Sequence, residues 1–218
     1  MAGEKPGLVA APVKRQARFI DLTSFEHEPS DGFTVVRSFR LGLGGFVVVA
    51  AIAQLVVLEL EEQSGVTGEP VGLMVGDLDR FKDVNDSLGH AAGDVVLKEV
   101  AYLLRKRLRA FDLAYRIGGE EFLVLLPGAS VEESQVMAEQ LREATEEDRL
   151  GHAPDLTISF GVSGSTRGTT FDYQDAFRAA DAALYEAKAA GRNRVCIQSV
   201  STAPEGTPAE SAVAIAAG

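Results

Sequence analysis

Short apolar runs and helical stripes alternate along the chain from residue 71 onward. Residues 71–75 form an apolar run that ends in Gly76-Asp77 and predicts a buried strand, with Asp77 and Asp79 just past its end. Over 93–111, Val96, Val100, Leu104 and Leu108 recur at near-helical spacing and predict a helix with one apolar face. Two further runs, 113–117 and 122–126, are separated by Gly118-Gly119-Glu120-Glu121. Paired glycines there predict a tight hairpin whose turn needs positive φ. A second helix over 131–146 aligns Met137, Leu141 and Ala144, and a strand spans 156–162. A third helix over 172–190 aligns Phe177, Ala180, Leu184 and Ala187, and a last strand covers 194–200. This order predicts an α+β domain, sandwich-like, with a central mixed, mainly antiparallel sheet flanked by helices.

The ends read differently. Residues 1–45 mix Pro, Gly and charges with little periodicity, and 1–36 are expected to be a poorly ordered or extended leader. Residues 199–218 are rich in Ala, Ser, Thr, Pro and Gly and read as a flexible tail. That leaves 46–198 as the folded domain. Between leader and core, residues 41–58 carry no charge across eighteen positions, with Arg37 and Arg40 before them and Glu59, Glu61 and Glu62 after. The run is just long enough to be a membrane-span candidate. Its three early glycines and the polar Gln54 favour a buried or interfacial helix instead.

Charge narrows the function. Residues 46–198 hold fifteen Lys/Arg against twenty-five Asp/Glu. So acidic a domain lacks the clustered cations a nucleic-acid surface needs, and no nucleic-acid partner is expected. It remains able to take a polyphosphate through a metal ion and a few placed cations. The single cysteine, Cys196, excludes an internal disulfide and suits a reducing compartment, so the expected location is the cytoplasm. Its apolar neighbours Val195 and Ile197 predict that it is a buried small hydrophobe.

The candidate chemistry lies in the acids. If the first strand and the hairpin are neighbours, Asp77, Asp79, Glu120 and Glu121 converge at one edge of the sheet. Hard oxygen ligands there suit Mg²⁺, which takes a few carboxylates and completes its shell with water and phosphate. Glycines at 118 and 119 would let a nucleotide approach the backbone. Read singly, each feature has an ordinary explanation. Acids after strands are solvated, Asp94 is a helix N-terminal acid, and Lys188 and Arg192 complement a helix dipole.

Together they form a pattern. Asp77-Leu78-Asp79-Arg80-Phe81-Lys82-Asp83-Val84-Asn85-Asp86, followed by Gly89-His90 and Gly93-Asp94, resembles the first signature of GGDEF domains. Arg116-Ile117-Gly118-Gly119-Glu120-Glu121-Phe122 resembles their namesake hairpin, with Glu in third place. Asp181-Ala182-Ala183-Leu184-Tyr185-Glu186-Ala187-Lys188, then Gly191-Arg192-Asn193, resembles their C-terminal signature.

The resemblance implies a nucleotidyl-cyclase or palm-like fold and a diguanylate cyclase. Such an enzyme condenses two GTP to cyclic di-GMP and pyrophosphate with Mg²⁺ (or Mn²⁺), in a homodimer with one GTP per subunit. It implies Asp77, Glu120 and the Leu78 carbonyl as metal ligands and Glu121 beside the attacking hydroxyl. Asn85 and Asp94 would recognise guanine, an amide and a carboxylate together satisfying its edge. Lys82, Lys188 and Arg192 would meet the triphosphate, with Gly118 and Gly119 lining it. His90 would be structural. Arg109 and Asp112, five residues or more before the hairpin, match the RxxD site where the product binds as an inhibitor, and Arg116 would join it. The alternative there is a helix-end salt bridge.

One segment departs from the pattern. The usual Asp-x-Leu-Thr-Gly-Leu-x-Asn-Arg-Arg stretch is replaced around residues 35–46 by VVRSFRLGLGGF. That substitution bears on dimerisation and leaves a second reading: a non-catalytic GGDEF module that binds GTP or cyclic di-GMP as a receptor or docking domain. The intact hairpin acids favour the cyclase.

Overall fold

The computed structural model describes residues 18–21, 43–148 and 155–200; at 18–21 and 43–53 it describes the backbone alone. In chain order the elements are β1 (Arg18–Asp21), α1 (Leu43–Thr67), β2 (Val71–Asp79), α2 (Phe81–Leu88), α3 (His90–Arg107), β3 (Leu113–Arg116), β4 (Glu121–Pro127), α4 (Val131–Glu147), β5 (Thr157–Gly164), α5 (Tyr173–Ala189) and β6 (Val195–Ile197). The strands form one sheet in the order β1-β3-β4-β2-β5-β6. The outer pairings, β1 with β3 and β5 with β6, are parallel, and the three inner ones are antiparallel. The expected mixed, mainly antiparallel sheet is present.

Helices cover both faces. Met74, Leu78, Val124 and Phe160 pack with Val96, Val100 and Leu104 of α3 and Leu141 of α4. On the other face Leu73, Val75 and Leu125 meet Val57 and Leu60 of α1 and Ala176, Ala180 and Leu184 of α5. All nine residues of β2 are therefore buried, and its sequence shows an apolar run instead of a period of two.

Two glycines let helices approach the sheet closely. A Cβ on Gly161 would lie 1.9 Å from the Ala180 carbonyl oxygen and 2.3 Å from Leu184 N, so α5 rests directly on β5. One on Gly72 would lie 1.8 Å from Ser134 Oγ, at the start of α4. A capping box fixes that start: Ser130 Oγ accepts from Glu133 N at 3.3 Å, and Ser130 N donates to Glu133 Oε2 at 2.9 Å.

Several expectations need correction. The first strand runs on to Asp79, so Asp77 and Asp79 lie inside it and not beyond its end. A helix absent from the sequence reading, α2, follows at once, and α3 begins at His90 and not Gly93. Asp94 therefore lies past the first residues of α3 and is not its N-terminal acid. The last strand spans only three residues, whereas within the leader, expected to be poorly ordered or extended, β1 is a strand beside β3. Cys196 is half-buried, not buried. Residues 41–58 do fall largely on a helix, which continues to Thr67. Its Val57 is buried while Leu55 and Leu58 are exposed. Among the described residues no helix is long and apolar enough to cross a membrane. The remainder of the leader and tail lies outside the described residues.

Candidate active site

The site grows from the register of two central strands. Antiparallel pairing sets Asp77 of β2 opposite Glu121, the first residue of β4. Leu78 N donates to the Glu120 carbonyl at 3.2 Å, which ties the hairpin tip to β2. Asp77, Glu120 and Glu121 are thus brought to one end of the sheet, as the sequence predicts.

Asp77 is only 6% exposed and accepts an ion pair from Lys188 Nζ of α5 at 2.9 Å. Burial raises its pKa, assisted by the Asp79 charge and opposed by Lys188 and Arg192. Glu120 is also raised, first by desolvation and then by Asp77 and Glu121, with Lys188 opposing. Two neighbouring carboxylates whose ionisation is hindered by burial and by adjacent acids are short of positive charge, which a divalent cation would supply. Among the described residues no three His, Cys, Asp or Glu side chains form a metal cage. A Mg²⁺ here would draw on Asp77, Glu120 and the Leu78 carbonyl, and on water and phosphate for the rest. That sparse, all-oxygen set fits its preferences.

Of the two hairpin glycines, Gly118 acts through space and neither acts through φ. Neither Gly118 nor Gly119 has positive φ, contrary to the sequence expectation. A Cβ on Gly118 would instead meet Glu121 Oε2 at 2.2 Å, whereas one on Gly119 would meet nothing. Gly118→Ala is thus expected to push the Glu121 carboxylate aside. Turnover should fall roughly 10- to 100-fold while the thermal midpoint stays near that of the parent, a combination that steady-state kinetics beside thermal unfolding reads directly.

Arg116 braces the same tip, with Nη2 donating to the Gly119 carbonyl at 2.6 Å. Close by in sequence, the buried Asp112 accepts from the Arg109 backbone N at 2.6 Å and closes a turn after α3. Burial raises the Asp112 pKa, against the pull of Arg109. Arg109 and Phe111 of this RxxD segment are exposed.

The α2–α3 pair supplies a second wall. Gly89, at φ 84, makes the sharp turn between the helices. A Cβ on Gly93 would fall 2.1 Å from Asn85 Oδ1, so α3 seats directly against the Asn85 side chain. Asn85 is half-buried there, and the neighbouring Asp94 is exposed, as is Lys82 in the first turn of α2. The exposed His90 opens α3.

Asp79 lies close enough for its charge to act on Asp77, but its oxygens are committed elsewhere. It is 5% exposed and wholly engaged: Oδ2 accepts from Thr157 Oγ1 at 2.7 Å and Asn193 N at 3.0 Å, and Oδ1 accepts from Ser159 Oγ at 2.8 Å. Asp79, expected to converge with the other acids as a metal ligand, is instead taken up by these hydrogen bonds. These partners were not foreseen, although Thr157, Ser159 and Ser163 recur at alternate positions along one face of β5. Arg192 follows α5 with a φ of 66° and lies within electrostatic reach of Asp77.

These features define the class: a palm-like α+β domain with acids gathered at the end of its central strands, faced by a lysine of its last helix and an arginine of the turn after it. Comparison with known proteins gives the family. The family described as "Diguanylate cyclase, GGDEF domain" matches residues 51–194, and the chain belongs to it. Diguanylate cyclase A of Treponema denticola is 42% identical over 140 residues, 62% of this chain and 37% of that protein. Diguanylate cyclase DosC of Escherichia coli is 36% identical over 131 residues, 59% of this chain and 28% of that protein. The matches thus span well under half the length of these relatives. Among solved structures, the active GGEEF domain of a diguanylate cyclase from Vibrio cholerae matches with a TM-score of 0.60 and 34% identity, covering 64% of this chain and 90% of that one. The GGDEF domain of DgcB from Caulobacter crescentus, solved in complex with c-di-GMP, matches with a TM-score of 0.58 and 29% identity, covering 65% of this chain and 82% of that one.

Proposed function

We propose that this chain is a diguanylate cyclase. The observation that carries the reading is the gathering of Asp77, Glu120 and Glu121, faced by Lys188, at one end of β2 and β4. Asn85 and Asp94 hold the guanine edge, and the acceptor-only carboxylate would be penalised opposite adenine. Lys82, Lys188 and Arg192 hold the triphosphate, and Gly118 leaves room for Glu121 to face the ribose 3′ hydroxyl. Bound at Asp77, Glu120 and the Leu78 carbonyl, Mg²⁺ or Mn²⁺ would polarise phosphate oxygens and ease ionisation of that hydroxyl.

Each chain holds one GTP, so two chains must meet face to face. The 3′ oxygen of one GTP forms a bond to the α-phosphorus of the other, pyrophosphate leaves with the broken P–O bond, and Glu121 takes the hydroxyl proton. Repeated once, this converts two GTP to one cyclic di-GMP and two pyrophosphates. Arg109, Asp112 and Arg116 would receive the product as an inhibitor. The domain would occupy 46–198 and work in the cytoplasm.

Acid should disable the site early. The Asp77 and Glu120 pKa values are raised, and a metal needs both groups ionised. Mg²⁺ binding and turnover should therefore decline on acidification from a pH above the ordinary carboxylate value of about 4. A titration of Mg²⁺ affinity against pH checks this; constant affinity down to about pH 4 would refute it.

Incubation with GTP and Mg²⁺, followed by chromatography, tests the proposal. Cyclic dinucleotide and pyrophosphate should appear in a 1:2 ratio from GTP and not from ATP. Tight GTP binding with no product would sink catalysis and favour a receptor module.

A further inference from the structure

The turn after α5 is strained and held from two sides. Gly191, Arg192 and Asn193 all have positive φ, at 115°, 66° and 45°. Two consecutive side-chain-bearing residues in that region persist only where their surroundings impose it. Here the surroundings are identifiable. Asp79 of β2 accepts the Asn193 backbone N–H at 3.0 Å, and Arg142 of α4 donates from Nη1 to Asn193 Oδ1 at 3.0 Å. Each anchor is itself fixed. Thr157 and Ser159 of β5 hold the Asp79 carboxylate, and Glu139 and Glu146 hold Arg142 along its own helix. The Arg192 amide donates back to the Ala187 carbonyl at 3.0 Å, so the turn stays joined to the helix that carries Lys188.

We infer that Asp79, Arg142 and Asn193 form a positioning clamp that holds the left-handed turn and presents Arg192 to the triphosphate. Asp79 and Arg142 are positioning residues: neither needs to touch the nucleotide, and both act through Arg192. The clamp rests on the reading of Arg192 as a phosphate-binding cation. It explains why a buried carboxylate two residues from Asp77 makes no use of the neighbouring lysine. Its work is to accept three hydrogen bonds, two from β5 and one from the turn after α5.

The test is GTP affinity and steady-state turnover in the full chain for Arg192→Ala, Arg142→Ala and the double variant, together with Asp79→Ala and Asp79→Asn. Arg192→Ala should weaken GTP binding by about 10-fold, a typical effect of removing a charge-assisted contact. Arg142→Ala should raise Kd and KM by roughly 3- to 10-fold with kcat within about twofold, and should add nothing in the Arg192→Ala background. Asp79→Ala should behave like Arg142→Ala. Asp79→Asn should stay close to the parent, because its amide oxygen can turn to Asn193 N–H and its NH₂ to the Ser159 hydroxyl.

Additive effects of Arg142→Ala and Arg192→Ala, or an unchanged KM in Arg142→Ala, would overturn the clamp while leaving the phosphate role of Arg192 standing. Unchanged GTP binding in Arg192→Ala would overturn that role and the clamp with it. Arg192 is exposed and Arg142 is half-buried outside the apolar core, so both variants should fold and this cycle decides the matter even if Asp79→Ala does not fold.

Discussion

Glu120→Gln and Asp77→Asn are each expected to reduce pyrophosphate release from GTP by roughly 100- to 1,000-fold, the usual cost of deleting one electrostatic contributor to a reacting centre. Glu120→Gln should do so without destabilising the fold. The Glu120 pKa is raised in the folded chain by burial and by Asp77 and Glu121. For an acid shifted upward, folding favours the protonated form. Its stability contribution is complete below the unfolded value and is lost as the pH rises through the folded one. At neutral pH the neutral Gln should thus match or raise the thermal midpoint, an advantage that disappears in acid. Asp77→Asn differs, because it also strips Lys188 of its partner at 2.9 Å. Lost turnover beside undiminished stability in Glu120→Gln would mark a carboxylate kept for chemistry. A midpoint that falls in step with activity would mark a structural acid instead.

Gly161→Ala should have the largest effect on stability. Its new Cβ would lie 1.9 Å from a backbone oxygen of α5 and 2.3 Å from a backbone nitrogen, and backbone cannot rotate away as a side chain can. Overpacking of this kind costs about 3 kcal/mol, which in a domain of this size lowers the midpoint by roughly 6–12 °C. The helix that must move carries Lys188, so the Asp77 ion pair would be disturbed as well. Thermal unfolding reads the effect, and a midpoint within about 2 °C of the parent would show that α5 has room the structure denies it.

The sequence carried the sheet and most of the acid cluster because both depend on local signals. Val96, Val100 and Leu104 are buried where helical spacing put them, Leu108 is buried just past the helix end at Arg107, and the hairpin forms where its glycines separate two apolar runs. The end of β2 was hidden because Asp77 and Asp79 look like loop residues until their partners are known. Those partners lie far away in the chain: Thr157, Ser159 and Asn193 for Asp79, and Lys188 for Asp77. Pairings over 78 to 114 residues leave no periodicity to read. The short helix α2 buries only Phe81, so its apolar face was too small to announce it. The positive φ expected at Gly118 is absent, and what that position needs is clearance for Glu121, a contact no local pattern announces.

The most direct measurement is pyrophosphate release from GTP and Mg²⁺ across a protein concentration series. If two half-sites must meet, activity per chain should rise with concentration and level off as the dimer saturates, with cyclic di-GMP accumulating at half the pyrophosphate. Activity per chain that is flat across the series, or absent while GTP binds, would contradict the account.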